Sequence, residues 1–225
     1  ERQGCFAELV LTPDKNIYEL PEGLDIKKAP IAEPTAVSLH AVELGEEVLK
    51  KDLQNSRVLI IGGGAIGLLC ALILEKYKKC NEVILVEPNE NRLKVCSNHL
   101  ESDTSKPDDK RISDNSFDIV FDTVGLEITR QNSIKAVNPG GVIVHIGLTQ
   151  PSGTFDFRKA TLQEITFVGT YCYTNRDFEK TLSLLSNNSL GKLEWIEYRE
   201  LNKGAEAFKE IHDGTCSAPK IILIP

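Results

Sequence analysis

Residues 56–92, SRVLIIGGGAIGLLCALILEKYKKCNEVILVEPNENR, constrain this chain more than any other stretch. A short apolar run of strand type, Val58–Ile61, leads into Gly62, Gly64 and Gly67 at G-x-G-x-x-G spacing. The pattern predicts a helix over Ala65–Lys78 and a second strand, Val83–Val86, closed by Glu87 twenty residues past Gly67. Strand, glycine turn, helix, strand and distal acid in this order make a βαβ unit suited to a dinucleotide. Gly62 permits the tight turn, Gly64 lets the backbone approach a pyrophosphate, and Gly67 lets the helix close on the strand. The helix N-terminus, with Ala65 and Ile66 in its first turn, offers unpaired N–H groups and a positive dipole end to phosphates. Glu87 is placed to accept hydrogen bonds from both hydroxyls of the adenosine ribose. The competing reading is a glycine turn with a purely structural role.

Glu87 also bears on the choice of cofactor. An NADP site would set a 2′-phosphate where this carboxylate sits, and two like charges in contact are costly. Pro88, Asn89 and Glu90 follow, with no Arg or Lys among them. NAD is therefore favoured. Arg92, one helical turn on, either covers the adenine face or is a solvated helix residue.

At 225 residues the chain can bury a substantial core, and one nucleotide domain with appended segments fits better than two complete domains. A net charge of −7 with no offsetting basic cluster argues against a nucleic-acid partner or an anionic membrane surface. The longest apolar run, Ala65–Leu74, is too short to span a bilayer. No charged-then-apolar segment opens the chain, so a cytoplasmic location is expected. The six cysteines show no C-x-x-C spacing, hence neither a zinc lobe nor a redox motif, and are expected to be small buried hydrophobes. The chain starts on Glu1 and lacks methionine, which a processed or truncated start, or residues missing from the sequence, would explain.

Along the chain, residues 5–19 are expected to form a β-hairpin turning at Pro13-Asp14. A loop over Leu20–Pro30 precedes a helix over Ala36–Leu49. Beyond the βαβ unit come a helix over Asn89–Leu100, a polar surface loop over 101–116, and a strong strand, Phe117–Val124. That loop is too short and polar for the strand-helix pair a doubly wound sheet usually places there. A helix over Glu127–Val137, a Pro139-Gly140-Gly141 turn and a strand over Val142–Ile146 follow. Next come a strand over Ile165–Tyr171 and a helix over Asp177–Leu185. The tail adds a strand (Trp195–Tyr198), a helix (Ala205–His212) and a closing strand (Lys220–Ile224). This alternation predicts an α/β fold with a parallel, doubly wound sheet. Ligands bind beyond the strand C-termini in such sheets, which gathers Glu87, Thr123–Gly125 and Gly147 around one crevice.

In order, GCFAELVL, ELPEGLDIKKAPIAEPTAVSLHAVE, VLIIGGGAIGLL, VILVEPNENRL, FDIVFDTVG, AVNPGGVIVHIGL and APKIILIP resemble the zinc-type medium-chain alcohol and polyol dehydrogenases, closest to their sorbitol and threonine dehydrogenase branches. The resemblance implies a Rossmann domain over 31–175, with 1–30 as a remnant of a β-rich, GroES-like catalytic domain and 176–225 returning to it. It implies that Thr123 and Val124 line the adenine-side pocket, and that Ile146, Gly147, Leu148, Gly169 and Thr170 flank the nicotinamide. It casts Glu33, in the E-P pair, as a catalytic-site residue able to ligate zinc or its water; from the residues alone, Glu33 is a carboxylate before a proline at a helix start. His40 and His145 read more readily as packed histidines than as site residues. The family's Cys and His-Glu zinc ligands, and the four-Cys lobe many members carry, have no counterpart here.

Two readings follow. In the first, the chain carries the cofactor half of an enzyme moving a hydride between a secondary alcohol or polyol and NAD, with zinc supplied by ligands outside these residues. In the second, it is a truncated, non-catalytic NAD-binding module. A flavoprotein would place the glycine motif near its N-terminus and add a Gly-Asp motif that is missing, and a methyltransferase would need G-x-G-x-G. A homo-oligomer, pairing near Phe167–Tyr171, is expected.

Overall fold

The computed structural model of the chain describes residues 4–225. Its long first helix, α1 (Ala32–Val48), leads to strand β1 (Arg57–Ile61), whose residues from Val58 onward are all buried. Successive strand side chains point to opposite faces. Val58 and Ile60 join a large core under α1 and helix α2 (Ala65–Leu72), whereas Leu59 and Ile61 join a smaller core on the opposite face. Helix α2 is apolar all round because the sheet and α1 enclose it; Leu68, Leu69, Leu72, Ile73 and Leu74 are at most 2% exposed. Burying each contributes on the order of 1.5–3 kcal/mol. The helix runs into one wide π turn, Ile73–Tyr77, and stops where Lys79 takes a positive φ of 58°.

Strand β2 (Glu82–Val86) is followed by helix α3 (Glu90–His99) and the short strand β3 (Asp103–Ser105). Strand β4 (Phe117–Asp122), helix α4 (Glu127–Ala136), strand β5 (Val137–His145), helix α5 (Phe157–Leu162) and strand β6 (Thr166–Gly169) complete the sheet. All pairings are parallel and the order is β3-β2-β1-β4-β5-β6. The chain therefore winds outward from β1 in both directions, leaving a crevice beyond the C-termini of β1, β2 and β4. This is the doubly wound α/β sheet expected from the alternation. Helix α6 (Asn175–Ser186), opened by a Thr174–Asp177 capping box, packs on α1. Strands β7 (Ile196–Glu200) and β8 (Lys220–Ile224) form a separate parallel pair linked through helix α7 (Gly204–His212).

Three expectations need correction. Residues 5–13 form no strand, and the hairpin reduces to a single 3-10 turn, Asp14–Asn16. Leu9 is 90% and Leu11 fully exposed, so this apolar segment has no sheet to pair with among the described residues. The 101–116 stretch holds the edge strand β3 but no helix, because three paired residues suffice at an edge while its polar remainder offers no apolar stripe. Finally, only Cys70, Cys96 and Cys216 are buried and Cys80 half-buried, whereas Cys5 and Cys172 are exposed. Burial pushes the Cys70, Cys80 and Cys96 thiols up to about 12. No helix of the described residues is long and apolar enough to cross a membrane.

Candidate functional site

The glycine turn at the end of β1 is built by close backbone approach. Gly62 sits at φ +105°, where an L side chain is strained, and its N–H donates to the Val86 carbonyl at 2.8 Å. A Cβ at position 67 would lie 1.8 Å from the Gly62 carbonyl oxygen, so a glycine there is what lets α2 start against the strand. Gly64 caps α2 and no side chain closes the helix end. The first-turn N–H groups of Ala65, Ile66 and Gly67 thus stand without a side-chain cap at the positive end of the helix dipole.

Glu87 closes β2 and is only 4% exposed. Its Oε2 accepts from the Gly63 N–H at 2.8 Å and its Oε1 from the Asn89 N–H at 2.9 Å. A carboxylate has about four lone-pair sites. Glu87 therefore holds the glycine turn in place and keeps capacity for further donors. Arg92 Nη1 lies 3.6 Å from Oε2, and its Nη2 donates to the Cys216 carbonyl at 3.5 Å. Arg92, half-buried, lines the crevice beside Glu87, pairs with its carboxylate and ties α3 to the C-terminal segment.

Across the crevice, Thr123 Oγ1 donates to the Ile61 carbonyl at 2.8 Å, locking the end of β4 to the end of β1. Val124, half-buried, lines a cavity of about 470 Å³ together with Gly62, Val86, Glu87, Pro88 and Arg92. The loops after β4 and β5 are laced: Ile146 and Gly147 donate to the Asp122 carbonyl at 2.9 and 3.1 Å, and Thr149 Oγ1 donates to the Val124 carbonyl at 2.6 Å. Thr170, whose N–H donates to the His145 carbonyl at 3.1 Å, keeps its Oγ1 buried without a hydrogen-bond partner. The strand-end residues Gly62, Glu87, Thr123 and Val124 thus stand at one crevice. Ile146 and Gly147 are buried beside it, whereas Leu148 and Gly169 are exposed.

Asp122 is the residue that sequence reasoning missed. Its carboxylate is fully buried and accepts from the N–H groups of Val124 (3.1 Å) and Gly125 (2.9 Å) and from Thr129 Oγ1 (3.0 Å). The signal was present: like Glu87, it is an acid ending an apolar strand. His145 Nε2 lies 3.7 Å from the same carboxylate without a hydrogen bond. Burial holds His145 below the ordinary imidazole range against the opposing pull of Asp122, with Arg130 adding to the depression.

Glu33 stands exposed in the first turn of α1, close enough to Tyr173 to help raise that phenol, chiefly pushed up by burial. His40 Nδ1 meets Asp177 Oδ2 at 3.0 Å and joins α1 to α6, a packing role. Among the described residues no three His, Cys, Asp or Glu side chains gather as a metal ligand set. Glu33 is at most one ligand, and these residues do not by themselves fit a zinc ion.

A family model described as zinc-binding dehydrogenase matches residues 65–187, more than half of the chain. The chain is 28% identical to (R,R)-butanediol dehydrogenase of Saccharomyces cerevisiae, over 99% of this chain and 61% of that protein. It is 27% identical to the D-xylulose reductase of the same yeast, over 92% of this chain and 60% of the other. It thus spans about 60% of the length of these curated relatives. Acetophenone reductase from Geotrichum candidum, solved in complex with NAD, superposes with a TM-score of 0.81 at 19% identity, over 92% of this chain and 58% of that one. With the glycine turn, the acid at the end of β2 and the sheet order in place, the matched region settles membership: the chain belongs to the zinc-binding dehydrogenase family.

Proposed function

We propose that this chain is the cofactor-holding part of an NAD-linked dehydrogenase acting on a secondary alcohol or polyol. The observation that carries the reading is the pairing of an uncapped α2 N-terminus with the buried Glu87 carboxylate across the glycine turn. The pyrophosphate belongs on the N–H groups of Gly64, Ala65, Ile66 and Gly67, and the adenosine ribose on Glu87. Thr123 and Val124 wall the adenine side, with Arg92 behind Glu87. Thr170 Oγ1 is a buried hydroxyl still lacking a partner, suited to the carboxamide of a nicotinamide flanked by Ile146, Gly147, Leu148 and Gly169. Bound NAD would supply the hydride acceptor. The residues of this chain bind and orient it.

Solved structures of this fold hold NAD in one case and NADP in another, so the fold leaves the choice open. Glu87 supports NAD, because a 2′-phosphate would meet its charge. Calorimetric titration checks this: NAD binds and NADP binds at least about tenfold more weakly, a difference of ~1.4 kcal/mol. Glu87→Ala is expected to weaken NAD and narrow that gap. Equal affinity for the two in the unaltered protein would sink the assignment.

A second reading, an NAD-binding module without turnover, holds only if no zinc ligands lie outside the described residues, which themselves gather no ligand set. The whole protein as it occurs in its source separates the two. Bound zinc with polyol oxidation eliminates the module reading, whereas NAD binding with neither zinc nor turnover favours it. The reading includes a homo-oligomer joined along the β6 edge, where Phe157, Leu162, Phe167 and Tyr171 are 44–78% exposed. A monomeric mass by light scattering would reject that part.

A further inference from the structure

The C-terminal ends of three strands lie in one register row: Asp122 of β4 pairs with His145 of β5, and His145 with Gly169 of β6. Paired residues of neighbouring strands put their side chains on one face of the sheet. The His145 ring therefore stands between the Asp122 carboxylate and a position with no side chain. A Cβ at Gly169 would meet nothing within 4 Å, which leaves the ring room on that side. Phe167 packs against it, the ring centroids 5.5 Å apart. The same row carries the turns that follow the strands. Ile146 and Gly147 donate to the Asp122 carbonyl and Thr170 to the His145 carbonyl, while the Asp122 carboxylate holds Val124 and Gly125.

His145 is the loose member of the row. Its side chain is 17% exposed, yet Nε2 is buried, lacks a hydrogen-bond partner among the described residues and lies 3.7 Å from Asp122 Oδ2. Two acceptors keep such a gap: an uncharged ring with its proton on Nδ1 turns a bare nitrogen toward the carboxylate. A proton on Nε2 makes that atom a donor, and a shift of less than about 1 Å then closes a charge-assisted hydrogen bond. Oδ2 has capacity for it, because it accepts only from Thr129 Oγ1 at 3.0 Å.

We propose that His145 is a positioning residue for the dinucleotide that acts through Asp122. Uncharged, it leaves the carboxylate to the turn after β4; on taking a proton from water at Nε2, it draws the carboxylate away from the Val124 and Gly125 N–H groups. Val124 walls the crevice, so the dinucleotide loses a wall when the ring is charged. The consequence for NAD rests on the NAD reading; the coupling of ring to turn does not. The charged groups acting on the ring are Asp122 from β4 and Arg130 from α4, and β6 meets it with the uncharged Phe167 and Gly169. Arg130 is tied down, its Nη1 donating to the Gly125 carbonyl at 3.0 Å and its Nη2 to the Ser152 carbonyl at 2.6 Å. Burial and Arg130 outweigh Asp122 and hold the ring uncharged near neutrality, so the crevice is intact there and loosens as pH falls below the ordinary imidazole range.

Calorimetric titration with oxidised NAD, repeated across pH, tests this. NAD is expected to bind at least about threefold more weakly at about pH 5 than at about pH 7.5, as the uncharged, binding-competent fraction falls. His145→Phe keeps a ring against Phe167 but takes no proton, and His145→Gln supplies a smaller neutral side chain. In both, whatever the affinity at the higher pH, the ratio between the two pH values is expected to fall towards one. A parent-like ratio in both variants overturns the proposal, as does a parent whose affinity ignores pH. A second readout needs no dinucleotide. The backbone amide resonances of Val124 and Gly125 are expected to move with the midpoint of the His145 ring, and to stand still over that range in His145→Phe. Amides that do not follow the ring overturn the coupling. If NAD fails to bind at any pH, the dinucleotide reading falls, while these amides still decide whether His145 works on Asp122.

Discussion

Gly67→Ala is expected to cost both cofactor and stability, whereas Gly64→Ala costs only cofactor. The added methyl at position 67 would stand 1.8 Å from the Gly62 carbonyl oxygen and 3.0 Å from Thr123 Oγ1. Neither neighbour is free to leave: the Gly62 N–H is bonded to the Val86 carbonyl, and Thr123 is bonded to Ile61. Helix α2 must therefore shift away from the strand end, against the packing of Leu68, Leu69 and Leu72. Overpacking of this kind costs about 1–3 kcal/mol, partly offset by the helix preference of alanine, near 1 kcal/mol. The same shift withdraws the first-turn N–H groups from the phosphates. NAD affinity is expected to fall about a hundredfold, ~3 kcal/mol. At position 64 an added methyl meets nothing within 4 Å, so the fold is untouched and only the approach of the pyrophosphate is obstructed. Thermal melting and NAD titration of the two variants separate the effects. A Gly67→Ala protein that melts and binds like the parent would remove the close-approach argument.

How much of this was legible in the sequence follows from how local each signal is. The βαβ unit was legible because glycine spacing, helical periodicity and the distal acid all lie within residues 56–92, and each is a short-range constraint. The parallel sheet was legible for the same reason, since strands separated by helices have few other ways to pair. The 5–19 hairpin was misread because alternation records only which side chains are apolar, not whether a second strand exists to cover them. The partners of Arg92, Glu87 and the Cys216 carbonyl, were not legible because they lie 5 and 124 residues away and meet it only in the fold.

Asp122→Ala is expected to be the most damaging single truncation of a polar side chain in the crevice. Three donors converge on this carboxylate: the N–H groups of Val124 and Gly125 and the Thr129 hydroxyl. It is wholly buried, so water does not replace it at once. A buried donor left unpaired costs about 1–3 kcal/mol. Relaxation recovers part of three such losses, leaving a net destabilisation of about 3 kcal/mol. For a chain of this size that corresponds to a fall in Tm of roughly 6–12 °C. The consequence for the site is geometric. The turn after β4 carries Thr123 and Val124 and, through Val124 and Gly125 carbonyls, anchors Thr149 and Gln150 of the turn after β5. Both walls of the crevice loosen together, so NAD affinity falls with stability. Asp122→Asn separates charge from geometry. Its carbonyl oxygen still accepts from Val124 and Gly125, and Thr129 can instead accept from the amide. A loss of about 1 kcal/mol is expected there, with NAD affinity largely restored relative to alanine. If alanine and asparagine prove equally mild, the two turns are held by the backbone lacing alone and Asp122 has no organising part in the crevice.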